Sequence, residues 1–103
     1  MRSREDYSNI LRVVSEVSEI ETSEIFSSKK TQEHRDCRWM IVQLLSDMGY
    51  YPSRICALTG LSARTITRVL SDMRTRKDRS WKMLRQNLDE CRSLLGINTD
   101  SKQ

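Results

Sequence analysis

The sequence predicts an all-α fold of five to six helices, and three observations predict it. Apolar residues recur at spacings of three and four along most of the chain, the period of one face of a helix. The single proline and the three glycines fall between those periodic stretches, where they punctuate rather than break them. Alternating β-branched runs are scarce, which leaves little room for a sheet. A chain of 103 residues is enough for one domain with an adequate core. We assign that domain to 1–96 and a frayed tail to 97–103.

The elements follow in order. Ser3 suits an N-cap and Asp6 a capping-box partner three residues on. Tyr7, Ile10, Leu11, Val14 and Val17 form the apolar stripe of a first helix ending near Ser18. Its outer face is acidic, with Glu5, Asp6, Glu16 and Glu19. Thr22 or Ser23 is expected to cap a very short second helix holding Ile25 and Phe26. A polar loop with adjacent Lys29 and Lys30 precedes a third helix over 32–48. There Cys37, Met40, Ile41, Leu44, Leu45 and Met48 face inward, Trp39 closes the edge and Gly49 stops the helix. This helix is the expected centre of the core.

Pro52 fits the first turn of the next helix, because its missing N–H is not needed there. That helix turns Ile55, Cys56 and Leu58 inward and ends at Gly60, which takes a left-handed backbone without steric cost. Leu61 plugs the turn, and the Ser62 hydroxyl can cap the following helix. Ile66, Val69, Leu70 and Met73 then recur as one stripe. Two short helices joined by a Gly-Leu-Ser turn are the signature of a helix-turn-helix. Beyond Met73 a basic connector leads to Asp78, a suitable N-cap. A last helix follows to about Leu95, lined by Trp81, Leu84, Leu88, Cys91 and Leu95, with Gly96 at its end.

Opposite the Ile66 stripe, at about 100° per residue, lie Arg64, Arg68, Ser71 and Thr75, flanked by Thr65 and Thr67. Arginine can bond guanine edges bidentately, and Ser or Thr can bond bases or phosphates. Arg64 and Arg68 are therefore expected to read bases in a major groove, assisted by Ser62, Thr65 and Thr67. Lys29, Lys30, Arg54, Arg74, Arg76 and Lys77 are expected to hold phosphates. Charge supports that division. Segment 54–85 carries nine Lys and Arg against two Asp and Glu, whereas 1–26 carries three against six. A basic excess on and just after the turn motif is the footprint of a phosphate-binding face.

The order of elements resembles the C-terminal DNA-binding domain, domain IV, of the bacterial replication initiator DnaA. The matching stretches are Asn9-Ile-Leu-Arg-Val-Val-Ser-Glu-Val, 20–26, and Ser28-Lys29-Lys30 at that family's basic loop. Arg38-Trp-Met-Ile-Val-Gln-Leu-Leu and 55–69 complete them. The resemblance implies an all-helical domain of the Trp-repressor-like group, whose basic loop reaches the backbone and an adjacent minor groove. The family's recognition signature, Gly-Arg-Asp-His-Thr-Thr-Val, aligns with Gly60-Leu61-Ser62-Ala63-Arg64-Thr65-Ile66. Gly60 and Thr65 are kept. Leu61, Ser62 and Ala63 replace three residues that read the initiator's box, so the resemblance does not extend to that box. Ser62 and Ala63 complete the expected base-reading set. No phosphate-cradling Gly-x-x-x-x-Gly-Lys motif occurs, so a stand-alone binding domain without ATPase is implied.

Other classes are less well served. His34 and Cys37 share a helical face, but two ligands make a poor metal site, and neither metal nor cofactor is expected. The three cysteines, Cys37, Cys56 and Cys91, are widely spaced among apolar residues and read as small hydrophobes of a reducing compartment. No carboxylate pair or activated nucleophile suggests catalysis. The N-terminus lacks an apolar leader and no run is long enough to span a bilayer, so a cytoplasmic, nucleoid-associated protein is expected. Double-stranded DNA is the expected partner, and a homodimer on a two-fold site is compatible with the sequence. The alternative is a protein-interaction module that keeps the fold without DNA binding, with Trp39, Trp81, Tyr50 and Tyr51 as contacts.

Overall fold

The computed structural model of the chain describes residues 3–27, 31–75 and 79–97. Six helices and no strand occur among them: α1 (Ser3–Ser18), α2 (Thr22–Ile25), α3 (Gln32–Asp47), α4 (Pro52–Thr59), α5 (Ala63–Thr75) and α6 (Arg79–Leu95). α3 packs against all five others and is the axis of the molecule. That position explains its burial pattern. His34, Cys37, Met40, Ile41, Val42, Leu44 and Leu45 are all buried, more than one stripe can hold. Val42 was not expected inside. A helix surrounded by neighbours is apolar nearly all round, and a search for one face underestimates it. Met48, expected inside, is 36% exposed, because α3 ends at Asp47 and Met48 is already its C-cap.

Caps account for most element boundaries. Thr31 is the N-cap of α3, and its hydroxyl accepts the His34 N–H at 3.3 Å. At the other end Gly49 (φ 96°) turns the chain out of the helix. The Tyr50 N–H reaches the Leu45 carbonyl at 3.1 Å and the Gly49 N–H that of Ser46 at 3.0 Å. This is a Schellman closure, and it satisfies carbonyls the helix leaves open. Gly96 and Ile97 repeat it on α6, where the Ile97 N–H meets the Arg92 carbonyl at 2.9 Å. Ile97, the first residue beyond Gly96, is partly buried against the core.

Two expected caps are corrected. α2 begins after Glu21, which makes no side-chain cap, so Thr22 and Ser23 lie inside the helix rather than before it. Asp6 does not serve α1; its carboxylate accepts the Tyr50 hydroxyl at 2.6 Å and ties α1 to the segment before α4. A proton already satisfied there is harder to remove, so the Tyr50 phenol is pushed up. The expected Asp78 cap lies outside the described residues.

Candidate functional site

α4 and α5 meet at a turn that the local sequence closes tightly. Pro52 starts α4, and Gly60 ends it at φ 80°, with its N–H on the Cys56 carbonyl at 2.8 Å. Thr59, which the sequence reading passed over, stitches the turn. Its hydroxyl donates to the Ile55 carbonyl at 2.7 Å and accepts the Leu61 N–H at 3.2 Å. Leu61 is half-buried against the core, as a plug should be. Ser62 then caps α5: its Oγ accepts the Thr65 N–H at 3.2 Å and donates to Thr65 Oγ1 at 2.9 Å. Each contact is the chemistry expected of a residue between two helices, since orphan N–H groups need acceptors there.

α5 is sharply two-sided. Ile66, Val69 and Met73 are buried, whereas Ala63, Arg64, Thr67, Arg68 and Ser71 are exposed. Ala63, Arg64, Thr67, Arg68, Ser71 and Asp72 together line one shallow outward cleft. Four of the six expected base-reading residues, Ala63, Arg64, Thr67 and Arg68, share that cleft. Ser62 and Thr65 do not line it, and their hydroxyls are engaged with each other. Leu70, expected on the inward stripe, is half-buried. Asp72 was not anticipated on this face. Its position, eight residues beyond Arg64, sits about 80° round the helix, close enough to share the cleft. That offset was legible in the sequence.

The expected phosphate contacts divide. Arg54, exposed on α4, extends Nη2 toward Ser3 Oγ at 3.4 Å. Arg74, exposed in the last turn of α5, faces a separate cleft shared with α6 and stands apart from Arg64 and Arg68. Lys29, Lys30, Arg76 and Lys77 lie outside the described residues. α3 adds two cations the motif search missed. Arg35, Arg38 and Trp39 line a cleft with Leu61, Thr65, Arg68 and Val69, so the outward face of α5 continues onto α3. Arg38 also donates Nη1 to the Ile25 carbonyl at 2.8 Å, fixing where the chain leaves α2. Their signal was the spacing of three on the side of α3 away from Met40 and Leu44.

His34 is buried, with Nδ1 2.5 Å from the Thr31 hydroxyl and Nε2 3.6 Å from Glu24 Oε1. Cys37 and Cys91 are buried, and burial pushes both thiols up, Cys91 to about 12. Cys56 is half-buried. Among the described residues no three His, Cys, Asp or Glu side chains gather as metal ligands, and no helix is long and apolar enough to cross a membrane. Compared with models of known protein families, with curated proteins and with solved structures, the chain matches none.

Proposed function

We propose that this chain binds double-stranded DNA sequence-specifically, using α4 and α5 as a helix-turn-helix and α5 as the recognition helix. It would act as a regulator of transcription or replication, related to domain IV of DnaA. The observation that carries the reading is the two-sidedness of α5. Its buried Ile66, Val69 and Met73 anchor it on α3, which leaves Arg64, Thr67, Arg68 and Ser71 on an exposed ridge. A helix held by one stripe and basic on the other is shaped for a major groove. Arg64 and Arg68 would bond guanine, and Asp72 could accept from a cytosine amino group. Arg35, which shares a cleft with Arg68, and Arg54 on α4 would meet the phosphates.

The acidic helix is consistent with this orientation, since the backbones of α1 and α5 stay more than 8 Å apart. Glu5, Glu16 and Glu19 are exposed on or just after α1. Selection of bound duplexes from a random pool, followed by sequencing, tests the proposal. A recurrent core sequence bound in a salt-sensitive way is expected, and a palindrome would indicate a dimer. A pool that never converges, with no salt-sensitive binding at micromolar protein, would overturn it and leave a protein-interaction module.

A further inference from the structure

α5 and α6 both pack on α3, yet their described backbones stay more than 8 Å apart. The gap is a cleft of about 510 Å³, within the range of roughly 300–1,000 Å³ typical of small-molecule sites. Gln43 of α3, Met73 of α5 and Leu88 of α6 supply part of its lining. One corner is fixed and locally neutralised. Arg92 donates Nε to Asp47 Oδ2 at 2.9 Å, its Nη1 lies 3.2 Å from Asp89 Oδ1, and Gln43 donates to Asp47 Oδ1 at 2.9 Å.

The remaining cations are different. Arg74 on the α5 wall and Arg85 on the α6 wall make no ion pair among the described residues. Trp81 lines the same cleft, half-buried, and also borders a neighbouring one with Lys82 and Arg85. Its ring is therefore accessible beside unpaired guanidiniums.

A single carboxylate is satisfied by one guanidinium fork, whereas two guanidiniums on opposite walls match the several oxygens and greater charge of a phosphate. An accessible indole face favours a planar ring. We propose that this cleft binds a small organic phosphate carrying a planar ring, the chemistry of a nucleoside monophosphate. Arg74 and Arg85 hold the phosphate and Trp81 stacks on the ring. The site is separate from the ridge of α5, and the proposal stands whether or not that ridge binds DNA.

The test needs no duplex. The chain has two tryptophans, so its ¹H–¹⁵N spectrum carries two indole N–H signals, those of Trp39 and Trp81. Titration with adenosine 5′-monophosphate should shift the Trp81 signal saturably and leave Trp39 in place. The affinity should exceed that for inorganic phosphate or adenosine alone by about tenfold or more. Arg85→Gln and, separately, Arg74→Gln should each weaken it by a similar factor, while Arg35→Gln in the other cleft should not; the same spectra report whether each variant is folded. No saturable shift at millimolar nucleotide would overturn the proposal. So would phosphate binding as tightly as the nucleotide, or equal loss from Arg35→Gln, either of which indicates diffuse charge attraction.

Discussion

Glu19 is the one non-glycine residue at positive φ among the described residues (62°), and its N–H closes α1 on the Ser15 carbonyl at 2.8 Å. A side chain in that conformation costs about 1–2 kcal/mol, because Cβ crowds the following carbonyl. Glycine avoids the clash but loses more freedom on folding. With Glu19 exposed, Glu19→Gly should therefore stabilise the protein by about 0.5–1 kcal/mol in urea unfolding. A loss of stability would mean that the carboxylate makes a contribution larger than the strain. The buried thiols give a second residue-scale expectation. Cys37 and Cys91 hold their protons more tightly folded than unfolded, Cys91 up to about 12 from an ordinary 9.0. A raised folded value means stability fully present below the unfolded value and lost as pH rises through the folded one. The urea midpoint should hold to about pH 9 and then fall, with a shallower fall in Cys91→Ala. A midpoint that stayed flat into the alkaline range would contradict it.

At the scale of elements, the turn between α4 and α5 was the most legible part of the chain. Gly60, Leu61 and Ser62 each carry a distinct local signal, and each does what that signal implies. A methyl group on Gly60 would meet nothing within 4 Å, so the position excludes other residues through its backbone alone. Gly60→Ala should cost about 1 kcal/mol, as strain without a steric clash. A cost several times larger would mean that α5 itself had moved. The caps of α1 and α2 were misread for a common reason. Ser, Thr and Asp suit several jobs, and composition cannot tell a cap from a tertiary partner such as the Asp6–Tyr50 bond, which spans 44 positions. Thr31 was overlooked because it follows a polar loop in which every residue resembles a cap.

For the molecule as a whole, helix number and order were readable because five amphipathic stretches and one short one are separated by glycine, proline or polar breaks. The centrality of α3 was readable from its broad apolar face, but Val42 and His34 were not, since burial on a second side depends on which neighbours arrive. The surface divided in the same way. Arg64 and Arg68 follow from helical period, whereas the convergence of Arg74 with Arg85 and Trp81 depends on how α6 returns past α5. Charge is less sorted: α1 exposes Arg4 and Arg12 beside Glu5 and Glu16, whereas α5 exposes Arg64, Arg68 and Arg74. The central claim is that the outward ridge of α5 reads a duplex. Fluorescence anisotropy of wild type and Arg64→Ala, on the selected duplex and on a scrambled one, tests it most directly. The expected result is a loss of about 1–3 kcal/mol on the selected duplex and little change on the scrambled one. Equal losses on both, or no loss on either, would contradict it.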